Sequence, residues 1–85
     1  MEVFPNKKFE KMFKKCPPEI QRQLIERLKL FRNNPYNPIL NNHCLSGKLK
    51  GLYSINISGD WRIIYKKEGE NIILAAIGTH SQLYK

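Results

Sequence analysis

Between Asn33 and Leu45 the spacing of apolar residues changes, and that change dictates the fold class. Before it, "EIQRQLIERLKLFRNN" carries Ile20, Leu24, Leu28 and Phe31 at helical spacing, with Ile25 beside the stripe and Arg22, Glu26 and Lys29 turned to water. After it, "LYSINI" alternates, "WRIIY" is β-branched and aromatic, and "NIILAAI" is an unbroken apolar run of the kind that fills a central strand. A helical period followed by a strand period predicts an α+β chain, with helices and strands segregated along the sequence.

The rest of the chain fits this division. "NKKFEKMFKKC" sets Phe9, Met12 and Phe13 at i, i+3, i+4 behind Asn6, a residue suited to N-capping. Pro17 and Pro18 end that helix, and Pro18 fits the first turn of the next, so the two helices form an antiparallel hairpin. "MEVF" reads as a short edge strand, and "NNPYNPILNNH" as a connecting loop. With "SGD" and "KEGEN" as turns, the later half makes three consecutive strands. The expected architecture is an antiparallel sheet, a short N-terminal strand plus a three-strand meander, packed against an N-terminal helical hairpin.

Register adds detail. Tyr53, Ile55 and Ile57 share one strand face, and Trp61, Ile63 and Tyr65 share one face of the next. A turn made of Ser58, Gly59 and Asp60 brings both apolar rows to one side and sets Asn56 opposite Arg62 on the other. The helices cover the apolar side. The second side, with Ser54 and Lys66 alongside, is expected to be concave, polar and basic.

Charge narrows the partners. Eighty-five residues with a net charge of +8 make one basic domain, residues 1–85, suited to polyanions such as RNA, DNA or an acidic protein. Lys7, Lys8, Lys11, Lys14 and Lys15 crowd the first helix. Lys48, Lys50, Arg62, Lys66 and Lys67 interleave with Tyr53, Trp61 and Tyr65. No apolar run approaches the roughly 20 residues that span a bilayer. The stretch "MEVFPNKKFEKMF" is broken by Glu2 and Pro5 and is no signal peptide, so a cytoplasmic protein without a membrane partner is expected. Cys16 and Cys44 lack metal-ligand spacing and read as reduced, part-buried thiols; no metal or cofactor is expected.

The chain holds one aspartate, Asp60, one tryptophan, Trp61, and two histidines, His43 and His80. Asp60 and Trp61 sit at a hairpin turn, His43 ends the long loop and His80 ends the last strand. Gathered at one edge of the sheet they would supply two imidazoles, a carboxylate and, from Arg62, a cation for an anion. RNA cleavage needs little more. A base takes the ribose 2′-OH proton, an acid protonates the leaving 5′-oxygen, and a cation stabilises the charge growing on the phosphate. Tyr84, four residues beyond His80, is spaced to stack on a base. Each residue also has a plainer reading: a structural histidine, a turn aspartate, a core tryptophan, a snorkelling arginine, a packing tyrosine.

The motifs carry a family resemblance. "HCLSGKLKGLYSINISGDWRIIY" followed by "IGTHSQLYK" resembles the RelE/ParE toxin superfamily of bacterial toxin–antitoxin modules, and within it the YafQ-type mRNA interferases. The family pattern is a His-x-Leu-x-Gly segment, an Asp-Trp pair before a strand ending in Tyr, and a terminal Gly-Thr-His-Ser-x-Leu-aromatic, all found in order across residues 43–84. The helical half agrees in pattern alone. The resemblance implies a small sheet backed by a helical hairpin and a type II toxin that cuts mRNA in the ribosomal A site. It further implies a cognate antitoxin that neutralises the toxin in a hetero-oligomer. It assigns His43, Asp60, His80 and Arg62 to catalysis and Trp61 and Tyr84 to RNA; the residues themselves add Lys48, Lys50 and Asn56 as contacts to RNA or phosphate, with His80 as general acid and Asp60 or His43 as base. One departure stands out: where the YafQ pattern has another histidine, four residues before the Asp-Trp pair, this chain has Asn56, which carries no proton at neutral pH. Two other functions compete, a ParE-like gyrase inhibitor and a non-catalytic RNA- or ribosome-binding module.

Overall fold

Asn6 starts the first helix as the sequence implies. In the computed structural model, which describes residues 1–84, its side chain accepts a hydrogen bond from Phe9 N at 2.8 Å and opens α1, Lys7–Lys14. Pro17 and Pro18 then stop one helix and begin the next, α2, Pro18–Asn33. Gln21 joins the two. Its amide donates to the Phe13 carbonyl at 3.0 Å, which also accepts from Cys16 N, and to the Cys16 carbonyl at 3.2 Å just past the end of α1. Ile20, Leu24 and Phe31 of α2 are buried and Leu28 is half-buried, whereas Ile25 is 52% exposed and lies outside the stripe.

The strands are β1, Val3–Pro5; β2, His43–Cys44; β3, Tyr53–Ser58; β4, Trp61–Glu68; and β5, Asn71–Thr79. A short helix, α3, His80–Leu83, follows β5. The sheet order is β1-β5-β4-β3-β2. The meander and the hairpin of helices are as expected, and the fold is α+β. The sheet itself is mixed rather than wholly antiparallel, because β1 runs parallel to β5, Val3 opposite Ile72 and Pro5 opposite Leu74. The chain leaves β1 through both helices and re-enters the sheet from the same end, which dictates that direction. The fifth strand, β2, comes from residues that read as the end of a loop. It pairs His43 with Ser54 and Cys44 with Tyr53.

Asn56 does face Arg62, but by another route than a three-residue turn. The β3–β4 turn is made by Gly59 and Asp60 alone, with Gly59 at φ 52°, and the odd residue is taken up by a bulge at Ile57. The Ile57 carbonyl, where the ladder is interrupted, accepts from Arg27 Nε of α2 at 2.8 Å. A second bulge, at Ala75, lies between the pairs Ile64/Ala76 and Tyr65/Leu74.

Ile55, Ile57, Ile63, Tyr65, Leu74 and Ile77 pack with Phe9, Ile20, Leu24 and Phe31 in one core. Phe31 meets the Tyr65 ring edge-on, centroids 5.2 Å apart, and Tyr53 stacks on Tyr65 at 5.3 Å. The Tyr65 hydroxyl donates to Asn42 Oδ1 at 2.8 Å. The connecting loop earns its place through Leu40, which is wholly buried, and through Asn42, whose amide also donates to the Pro35 carbonyl at 2.9 Å. No helix among the described residues is long and apolar enough to cross a membrane.

The second face of the sheet departs from expectation. Ser54, Ile64 and Ala76 on it are buried, and Leu49, Leu52 and Leu83 line a cavity over them. The turn through Gly47–Leu49 and the helix α3 fold back onto this face. It is therefore part apolar second layer and part polar surface, not an open basic sheet. Lys66, at its margin, is exposed and paired with Glu68 at 3.1 Å.

Candidate functional site

Three neighbouring strands bring Asn56, Arg62 and Gly78 into one row, since Asn56 pairs with Arg62 and Arg62 with Gly78. Ser54 lies two residues along β3 on the same face, opposite His43 of β2. One step toward the other end of the strands, Ser58, Trp61 and Thr79 form the next row. Beyond it the chain turns at Asp60 on one side and enters α3 at His80 on the other. His80 N donates to the Asp60 carbonyl at 3.2 Å, which ties the turn to the helix.

Four polar atoms on this face have no hydrogen-bond partner among the described residues although they are shielded from solvent: Ser54 Oγ, Asn56 Oδ1, Arg62 Nε and Tyr84 Oη. Only one other buried side-chain atom, Gln23 Oε1 on α2, shares that state. Leaving such a group unpaired costs on the order of 1–3 kcal/mol, so a cluster of them marks a surface shaped for something other than stability. Arg62 makes no ion pair among the described residues, so its charge faces the site uncompensated.

His80 and Tyr84 form a second element of the site. Their rings lie 4.6 Å apart at 52°, one helical turn from each other. His43 is exposed on β2, with Nδ1 2.8 Å from the Asn41 carbonyl. A carbonyl only accepts, so Nδ1 carries the proton and the neutral ring keeps its lone pair on Nε2. Asn41 holds that carbonyl in place from a left-handed conformation, φ 46°.

The expected residues are thus brought together in part. Asp60, Arg62, His80 and Tyr84 share one end of the β4–β5 pair. His43 stands apart, because three strand spacings of about 4.8 Å separate β2 from β5. Among the described residues no hydrogen bond joins the side chains of His43, Asp60, Arg62 and His80 to one another. Of the residues expected at one edge of the sheet, Asp60, Arg62 and His80 lie together, and His43 stands across the row of Asn56 and Arg62 from them. Trp61 is turned to the opposite face, where it packs on the core beside Met12, Cys16 and Ile77, since it alternates with Arg62 along β4. Lys48 and Lys50 are exposed around the Gly47–Leu49 turn, with no ion pair among the described residues. Cys16 is buried, which pushes its thiol up from the ordinary value, and Cys44 is exposed. Among the described residues no three His, Cys, Asp or Glu side chains cluster as a metal site.

Sequence reasoning set Ser54 on the polar face beside Asn56 without giving it a role, and it missed Gln82. Gln82 had a visible signal, the Thr-x-x-Gln spacing of a capping box, at 79–82.

The sequence model of one family, described as the bacterial toxin of type II toxin–antitoxin system YafQ, matches residues 1–85. Among solved structures, YafQ from E. coli strain BL21(DE3) superposes with a TM-score of 0.83 at 23% identity, over 99% of this chain and 98% of that one. A conserved hypothetical protein from Helicobacter pylori gives 0.75 at 26% identity, over 99% of each chain. A chain of the E. coli DinJ–YafQ toxin–antitoxin complex gives 0.80 at 23%, over 99% of this chain and 97% of that one. No curated protein sequence matches significantly.

Proposed function

The chain belongs to the YafQ family of bacterial type II toxins, and from that premise we propose that it is a ribosome-dependent endoribonuclease that cuts mRNA through the ribose 2′-OH. One observation carries the reading: the unpartnered Asn56 Oδ1 and Arg62 Nε lie between two imidazoles, with Asp60 and Tyr84 at one of them. Arg62, helped by Lys50 and Lys48, holds the scissile phosphate and stabilises the charge that builds on it. His43, through Nε2, takes the 2′-OH proton on one side. His80, on the other, protonates the leaving 5′-oxygen. A base and an acid on opposite sides of the phosphate suit an in-line displacement, which favours His43 over Asp60 as base. Asp60 braces the acid, its backbone carbonyl accepting from His80 N where α3 begins. Asn56 meets the ribose or phosphate by hydrogen bonding and moves no proton. Tyr84 stacks on an unpaired base, a contact worth on the order of 1–3 kcal/mol. Trp61 serves from beneath by packing the Asp60 turn onto the core.

The partner is a cognate antitoxin. An acidic segment that orders on binding complements a +8 surface, and the two form a hetero-oligomer. Residues 1–85 act as one domain, in the cytoplasm where ribosomes and mRNA are.

The test is cleavage of a translated mRNA by wild type and His80→Ala, with cut sites mapped by primer extension. Wild type is expected to leave discrete cuts inside codons and His80→Ala to lose them. Uncut message with the wild-type protein, or equal cutting by the variant, overturns the reading or the acid assignment respectively.

A further inference from the structure

His80 stands on a four-residue helix, too short to hold its own geometry. Something else must fix the ring. The Thr79 side chain accepts from Gln82 N at 3.3 Å, and the Gln82 amide oxygen accepts from Thr79 N at 2.9 Å, so residues 79 and 82 cap each other on either side of His80. Two further bonds complete the frame: His80 N to the Asp60 carbonyl at 3.2 Å, and Tyr84 N to the His80 carbonyl at 2.9 Å.

The clasp packs closely onto the sheet at Gly78. A Cβ at Gly78 would stand 2.8 Å from Gln82 Oε1 and 3.4 Å from Gln82 Cβ and Leu83 Cδ2. With a side chain at 78 the Gln82 amide oxygen would have to shift from this seat. Gly78 is also the β5 neighbour of Arg62. The same close approach that locks the clasp therefore sets His80 at a fixed offset from the guanidinium.

We propose that Gln82 is a positioning residue: laid over Gly78 and hydrogen-bonded to Thr79, it orients the His80 imidazole toward the phosphate held by Arg62. This rests on the ribonuclease reading given above. Gln82 is exposed and outside the core, so its role is separable from folding. A glutamate keeps the clasp, because its carboxylate accepts from Thr79 N as the amide oxygen does. Alanine removes it. Alanine at Gly78 presses on the Gln82 amide oxygen, forces it to shift from its bond with Thr79 N, and reproduces that loss.

Single-turnover cleavage and affinity are measured on programmed ribosomes for wild type, Gln82→Ala, Gln82→Glu and Gly78→Ala. Nuclear Overhauser contacts between the His80 and Tyr84 rings are recorded for each protein in parallel. Gln82→Ala and Gly78→Ala are expected to cleave about ten-fold more slowly with unchanged affinity and to lose the ring contacts, since a small misplacement of an acid costs rate rather than binding. Gln82→Glu is expected to retain rate and contacts within about two-fold. The proposal is overturned if Gln82→Ala cleaves at the wild-type rate, if Gln82→Glu falls as far as Gln82→Ala, or if the ring contacts survive in Gln82→Ala. Failure of the ribonuclease reading looks different: wild type itself cleaves nothing, and the ring contacts alone then decide whether Gln82 sets His80.

Discussion

The two faces of the sheet treat their polar groups in opposite ways. On the helix side, the most buried tyrosine, Tyr65, gives its hydroxyl to Asn42, and Arg27 reaches across to the carbonyl of the Ile57 bulge. On the other side, Ser54, Asn56, Arg62 and Tyr84 each keep a shielded polar atom without a partner among the described residues. The first arrangement is what folding stability selects, because a buried donor or acceptor left alone is costly. The second costs stability and makes sense where a ligand supplies the missing partners. The difference teaches where to look for function in this chain: on the face that is worse satisfied, not on the face that is larger or more apolar.

Breaking the satisfied side should have the largest effect. Phe31→Ala removes the ring that packs edge-on to Tyr65 and is expected to cost about 3–5 kcal/mol in urea unfolding. That is a large share of the stability of so small a domain. On the other face, Arg62→Ala is expected to lower cleavage of translated mRNA by about a hundred-fold while leaving the urea midpoint unchanged or higher, because it removes a charge that nothing in the fold pairs.

Asn42→Ala sharpens the contrast from the helix side. It strands the Tyr65 hydroxyl and is expected to cost about 2 kcal/mol. The same tyrosine gives an alkaline signature. Burial pushes its phenol up to about 12 from an ordinary 10.0. The folded state holds that proton more tightly than the unfolded chain. The stabilisation is fully present below pH 10 and is lost as pH rises toward 12, which unfolding midpoints across that window will read.

The smallest effect has the opposite sign. Ser54→Ala removes a buried hydroxyl with no partner and is expected to raise stability by about 1 kcal/mol while weakening activity. A loss of stability would show that Ser54 belongs with the satisfied side after all.

Much of this was legible in the sequence, and the physical reason is locality. The Asn6 cap, the Pro17 and Pro18 break, the α2 stripe and the pairing of Asn56 with Arg62 are all written within a few residues of where they act. What escaped depends on distant parts of the chain. The direction of β1 follows from the end at which the chain re-enters the sheet after the helices, and β2 exists because β3 has a free edge beside His43. The bulges at Ile57 and Ala75 absorb twist that no local pattern announces. The site residues were legible through motif spacing. Their separation across the sheet was not, because spacing along a chain says little about how many strands lie between two ends; the seat of Trp61 on the core face was, since it alternates with Arg62 and shares a face with Ile63 and Tyr65. The clasp at Thr79 and Gln82 was legible and overlooked, its signature lying in the few residues after a strand.

The parallel pairing of β1 with β5 bears on how the molecule comes into being. Residues that touch there are 69 positions apart in the chain. A ribosome releases Val3 long before Ile72, so the first strand to be made waits, unpaired, while both helices and the meander form around its vacant berth. Contacts of such long range close slowly, and β1 contributes three residues to hold them. We expect this strand to be the last piece to dock during synthesis. It should also be the first to let go in the mature protein, with its amide hydrogens exchanging ahead of those in the β4–β5 ladder.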